Sequence, residues 1–121
     1  MNNDKKKIVF IINPISGTQN KELIKKAIAK KIDKLQYEAE MIYTEYAGHA
    51  VKIAAQKAAE GAFAVIAIGG DGTINEIARS LVHTSTAVGI IPCGSGNGLA
   101  RHLEIPMDVN RAIDIINTGK I

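Results

Sequence analysis

At 121 residues the chain is long enough for one domain with a core of its own, and a hydrophobic fraction of 46% excludes disorder. The net charge of +3 hides an asymmetry, with +6 over residues 1–34 and −3 over the rest, and five aromatics without interleaved lysines leave nucleic-acid stacking unsupported. The longest apolar runs, such as Ile8 to Ile12, are too short to span a bilayer, Lys5, Lys6 and Lys7 open no signal peptide, and the single Cys93 suits a reducing compartment, so a cytoplasmic location is expected.

Lys7 to Ile12 reads as a buried strand and Asn13 to Gly17 as a turn. Asn20 to Leu35 is an amphipathic helix: Leu23, Ile24, Ala27, Ile28, Ile32 and Leu35 are apolar, while Lys21, Lys25, Lys26, Lys30, Lys31 and Lys34 form a solvated face, with a patch for anionic lipid as the alternative. Ala39 to Tyr43 is a second strand. Ala47 to Glu60 is helical, with Val51, Ala54, Ala55 and Ala58 on one face and Gly61 as terminator. Phe63 to Ile68 is the third strand, Asn75 to Val82 the next helix, and Ala87 to Ile91 a fourth strand stopped by Pro92. A short helix covers Leu99 to His102, and a last one runs from the cap Asp108 through Val109, Ala112, Ile113 and Ile116 to Gly119. Strand and helix alternating in units of about 25 residues predict βαβ crossovers and a three-layer, doubly wound, mainly parallel α/β sheet of Rossmann-like type.

The most informative stretch is Gly69-Gly70-Asp71-Gly72-Thr73-Ile74-Asn75-Glu76, where a buried strand empties into a glycine-rich turn and opens a helix. Three glycines in four positions allow positive φ angles and a close ligand approach. The turn and the helix start can then present several backbone N–H groups to one anion. Thr73 and Glu76 have capping-box spacing, which places the helix start there. Asp71 would repel a phosphate unless it binds a metal ion, is neutralised by donors, or takes a proton from an attacking hydroxyl. The plain structural alternative is that Asp71 caps the helix.

Two further turns change the odds. Asn13-Pro14-Ile15-Ser16-Gly17 follows the first strand and Gly94-Ser95-Gly96-Asn97-Gly98 the fourth, so all three turns belong on one rim of a parallel sheet, where such sheets bind ligands. Ser16, Ser95 and the backbone amides offer neutral donors to phosphate, and Asn13 and Asn97 offer amides to a base or ribose. The chain has neither a Walker A lysine loop nor a G-x-G-x-x-G fingerprint, and His49, His83 and His102 lack zinc-ligand spacing.

Asn-Pro-Ile-Ser-Gly at 13–17, Thr44 with Gly48-His49-Ala50, Gly-Gly-Asp-Gly-Thr-Ile-Asn-Glu at 69–76 and Gly-Ile-Ile-Pro-Cys-Gly-Ser-Gly-Asn-Gly-Leu-Ala-Arg at 89–101 together resemble the catalytic domain of the diacylglycerol kinase family, which includes sphingosine and ceramide kinases. The Gly-Gly-Asp-Gly motif is shared with NAD kinases; Asn75-Glu76 and the Gly-Ser-Gly-Asn segment favour lipid kinases. The resemblance implies ATP and Mg²⁺ as cofactors and γ-phosphoryl transfer to a lipid hydroxyl, on diacylglycerol or a sphingoid base. It implies that Gly69, Gly70, Asp71, Gly72 and Thr73 cradle phosphates, that Asn13, Thr44 and Ser95 place the nucleotide with Ser16, Gly17, Gly94, Gly96, Asn97, Asn75 and Glu76 around it, and that Asp71 is the catalytic or metal-linked acid. A Glu76–Arg101 pair would join two loops. Ser95 and Gly98 stand where many bacterial relatives carry Thr and Asp, which leaves the acceptor lipid open. Full-length relatives have a second, β-rich domain, so residues 1–121 are expected to be the nucleotide-binding domain alone and inactive as such. Its partners would be the nucleotide, a lipid acceptor at the inner membrane surface and that second domain, with homo-oligomers left open. A NAD-kinase-like phosphotransferase and a non-catalytic nucleotide-binding module are the alternatives.

Overall fold

A computed structural model describes residues 5–14, 21–92 and 107–119. It contains, in chain order, β1 (Lys6–Ile12), α1 (Lys21–Lys31), β2 (Tyr37–Tyr43), α2 (His49–Ala59), β3 (Ala64–Gly69), α3 (Asp71–Ser80), β4 (Ala87–Pro92) and α4 (Met107–Asn117). The four strands form one sheet in the order β2-β1-β3-β4, every pairing parallel, with Val9 opposite both Glu40 and Val65. The α/β reading from the sequence therefore holds.

A parallel sheet must be covered on both faces, and the period-2 alternation of its inner strands sorts the core into two halves. Ile8, Phe10 and Ile12 of β1 with Ile66 and Ile68 of β3 meet Ile24 and Ile28 of α1 and Val109, Ile113 and Ile116 of α4. On the opposite face, Val9, Ile11, Val65 and Ala67 meet Ala50, Ile53 and Ala54 of α2 and Ile77 of α3. Residues 8–12 are wholly shielded from solvent. Each such side chain contributes about 1.5–3 kcal/mol of burial, which makes β1 the spine of the domain.

Several details differ from the sequence reading, among them the start of α4 at Met107, which puts Asp108 inside the helix rather than at its cap. Helix α1 ends at Lys31 rather than at Leu35, because Asp33 takes over the local bonding: its carboxylate accepts the Leu35 N–H (3.0 Å) and its carbonyl accepts Tyr37 N–H (2.9 Å). Leu35 is left 88% exposed. In α2 the buried stripe is Ala50, Ile53 and Ala54, with Ala55 in solvent, since Ile53 is the large apolar side chain and sets which face docks. Strand β2 starts two residues early at Tyr37, whose hydroxyl donates to Ile116 O at 2.6 Å and ties β2 to α4.

The lysine-rich helix is less open than its sequence suggests. Lys21 is buried, Lys25 lies over the Tyr43 ring at 5.4 Å and Lys31 donates to Asn110 at 2.9 Å. Lys26, Lys30 and Lys34 remain exposed. No described helix is long and apolar enough to cross a membrane.

The connections fix where a ligand can sit. From β1 the chain moves outward through α1 to β2, crosses back beneath β1 by way of α2 to β3, and continues through α3 to β4. The order therefore reverses between β1 and β3, and a crevice opens outside their carboxyl ends.

Candidate functional site

Backbone bonds beyond the strands hold the rim at this reversal. Asn13 N–H donates to Ile68 O (3.0 Å) and Thr44 N–H to Ile12 O (2.9 Å), which fixes the ends of β1, β2 and β3 relative to one another. Asn13 Nδ2 then donates to Thr73 Oγ1 at 3.1 Å, joining the end of β1 to the first turn of α3 across 60 residues of sequence. Thr73 accepts in this bond and keeps its own hydroxyl proton to donate.

Helix α3 starts earlier than Thr73 and Glu76 suggested. Gly70, in extended conformation at φ −89° and ψ −175°, is the N-cap, and Asp71 is already the first helical residue. No capping box forms, because strand passes to helix without an intervening loop and Thr73 lies two residues inside the helix. Asp71 is not the cap either; its carboxylate sits beside the positive end of the helix, where it is favoured. The expected positive φ angles are also absent from this turn: among the described residues, only Gly48, Gly61 and Gly119 have them. Glycine serves approach here. A Cβ on Gly72 would meet no atom within 4 Å, so the helix start is bare on the crevice side.

The first intrahelical bond runs from Ile74 N–H to Gly70 O (3.1 Å), so the N–H groups of Asp71, Gly72 and Thr73 precede it, and the N-cap, being glycine, has no side chain to cap them. Helix α2 opens on the same rim from Gly48, at φ 86°, again without a side-chain cap. The start of α3 thus presents bare backbone to the crevice and the start of α2 adds its positive dipole end, an arrangement that favours an anion.

Among the described residues, two hollows of the crevice share Asn13, Thr44, Tyr46 and Ala47. One, of about 230 Å³, is completed by Gly48, Ala50, Gly72, Thr73 and Glu76. The other, of about 280 Å³, is completed by Pro14 and Glu45. Among the described residues that line the hollows there is no lysine or arginine, and the donors they offer an anion are backbone N–H groups and neutral side chains.

Of the residues singled out in the sequence, the structure brings together Asn13, Thr44, Gly72, Thr73 and Glu76 around this crevice. Gly69 ends β3 and Gly70 is the N-cap of α3. Asp71 and Asn75 are exposed and line neither hollow. Ser16, Gly17, Gly94, Ser95, Gly96, Asn97 and Arg101 lie outside the described residues, as do Cys93 and the expected helix over Leu99 to His102. Sequence reasoning passed over Tyr46 and Ala47, which line both hollows. The available signal was an aromatic one residue past Thr44-Glu45 in a short polar connection, a place where burial does not call for it.

The model of the diacylglycerol kinase catalytic domain matches residues 7–121. This chain belongs to that family. It is 36% identical over 120 residues to a diacylglycerol kinase of Staphylococcus saprophyticus, a match that covers 95% of the chain and 38% of that protein. A diacylglycerol kinase of Staphylococcus aureus strain JH9 matches at the same identity, over 95% of the chain and 37% of that protein. The chain therefore spans less than two-fifths of the length of these curated relatives. Among solved structures, the fold is similar to that of a diacylglycerol kinase from Bacillus anthracis, with a TM-score of 0.68 and 23% identity over 98% of the chain and 44% of that structure.

Proposed function

We propose that this chain is the nucleotide-binding part of an ATP-dependent lipid kinase that transfers the γ-phosphoryl group to a lipid hydroxyl. The observation that carries this reading is the bare start of α3, with Gly72 open to the crevice and three N–H groups uncapped beside the Asn13–Thr73 bond. Backbone amides at a helix start bind phosphate without needing a cationic side chain, and Thr73 and Thr44 add neutral donors. Phosphoryl transfer needs positioning and charge stabilisation more than covalent help, which such a rigid rim supplies.

Asp71 stands outside the hollows in solvent. In this reading its carboxylate takes the proton of the acceptor hydroxyl or orients it. Among the described residues no group of three or more His, Cys, Asp or Glu could hold a metal ion unaided. Mg²⁺ would enter with the nucleotide, held by phosphate oxygens and the hard carboxylate of Asp71, and would supply neutralisation of phosphoryl charge. More than three-fifths of each curated relative lies beyond the match, and we place the lipid-contacting side of the site there, in a second domain.

The test is a panel of lipid alcohols, diacylglycerol and sphingoid bases included, incubated with Mg-ATP and the full-length protein. Phosphorylation of a lipid is expected, and Asp71→Asn should reduce it by about 10²-fold or more, the usual scale for loss of a general base. Phosphorylation of NAD with no lipid product would overturn the reading.

A further inference from the structure

We infer that His49 is a positioning residue for the crevice, that it holds the Thr44–Gly48 wall in place only as a neutral imidazole, and that nucleotide binding is consequently acid-sensitive. The ligand part of this inference rests on the reading that the crevice takes a nucleotide.

Residues 44–48 join β2 to α2 and supply Thr44, Tyr46, Ala47 and Gly48 to the lining. Three contacts with His49 shape this segment. Glu45 N–H donates to His49 Nδ1 at 2.9 Å. His49 N–H donates back to Tyr46 O at 3.1 Å. The Tyr46 and His49 rings stack with centroids 4.4 Å apart and planes 14° from parallel. Gly48 supplies the left-handed turn that folds the segment back onto the helix start, at φ 86°.

The first contact depends on protonation. A backbone amide can only donate, so Nδ1 must carry a lone pair and the ring proton must sit on Nε2. An imidazolium has donors at both nitrogens and no acceptor. Protonation would set two N–H groups against each other where a hydrogen bond had been. The Glu45 amide would lose its partner, and the ring would turn away from Tyr46, one of the residues common to both hollows. Among the described residues, the charged groups around this corner are Glu45 itself, Lys52 one turn along α2 with its ammonium 5.4 Å from the Tyr46 ring, and Glu76 on the neighbouring α3. Strands β1 and β3 meet α2 with Val9, Ile11, Val65 and Ala67, which carry no charge.

Two substitutions separate the roles of the ring. His49→Asn keeps a carbonyl acceptor and cannot titrate; His49→Phe keeps a stacking ring and has no acceptor. In ¹⁵N-labelled chain without nucleotide, the Glu45 amide resonance should change together with the His49 ring resonances across a pH series from alkaline to acid. It should stay flat in His49→Asn. In Mg-ATP titrations over the same range, the wild type should lose roughly three- to ten-fold more affinity than His49→Asn, the scale of one net hydrogen bond. Protonation of ATP itself cancels in that comparison. His49→Phe should bind weakly at both ends of the range. A Glu45 amide indifferent to the His49 titration would overturn the positioning role, and equal pH slopes for wild type and His49→Asn would overturn its link to binding. Failure of ATP to bind at any pH would remove the nucleotide reading, while the amide titration would still decide whether His49 holds the wall.

Discussion

Gly72→Ala should make the protein more stable and a poorer binder. Gly72 is the second residue of α3 and lacks a positive φ, so alanine can adopt its backbone conformation. The added methyl would stand about 1.5 Å from Cα and meet no protein atom within 4 Å, so no clash opposes it. Replacing helical glycine by alanine gains up to about 1 kcal/mol in a helix interior and roughly half that in a first turn. For a domain of this size that is a rise in Tm of about 2 °C. The open space is also where an anion would have to lie to reach the N–H groups of Asp71, Gly72 and Thr73 at about 2.9 Å, the ordinary hydrogen-bond distance. A methyl in that path should weaken Mg-ATP binding by ten-fold or more, a loss of about 1.4 kcal/mol. Calorimetric unfolding and isothermal titration of wild type and variant supply both numbers. Wild-type affinity in a folded Gly72→Ala protein would refute the placement of the phosphates at this helix start.

Two further outcomes test the frame of the site. A double-mutant cycle with Asn13→Ala and Thr73→Val, followed by denaturant unfolding, should return a coupling of about 1 kcal/mol, the net value of a part-buried hydrogen bond; purely additive effects would mean that the 3.1 Å bond does not hold β1 to α3. At the other end of the pH scale from the His49 test, Glu40 on β2 meets Lys57 of α2 at 3.0 Å and Lys7 of β1 at 3.4 Å. The Lys57 ammonium beside Glu40, opposed by partial burial and reinforced by Lys7, holds its carboxyl below the usual carboxylate range. A lowered folded-state pKa means that stability is present above the unfolded-state value and lost as pH falls through the folded one. The Tm advantage of wild type over Glu40→Gln at neutral pH should therefore shrink as pH falls below about 4, where carboxylates protonate. An unchanged gap in acid would remove Glu40 from the account of the α2–sheet contact.

Much of this fold is legible in local patterns. The apolar run Ile8 to Ile12 and its counterpart Ala64 to Ile68 mark strands buried on both faces, and the 3.6-residue spacing of Ile24, Ile28 and Ile32 or Val109, Ile113 and Ile116 marks the helix stripes that cover them. Where local bonding competes, pattern alone misleads. The Asp33 carboxylate ends α1 early, and α3 starts at Asp71, two residues before Thr73, because caps depend on which backbone groups remain free in three dimensions.

The sequence by itself determined the alternation of elements, the buried strands and the presence of a glycine-rich turn between a buried strand and a helix, since each follows from periodicity and backbone freedom over a few residues. Only the tertiary structure decided that β1 lies between β2 and β3, that Asn13 reaches Thr73, that Glu76 lines the crevice while Asp71 faces solvent, and that Tyr46 and His49 stack to form a wall. Those contacts join residues up to 60 positions apart, and their geometry depends on crossovers and strand register that no local pattern encodes.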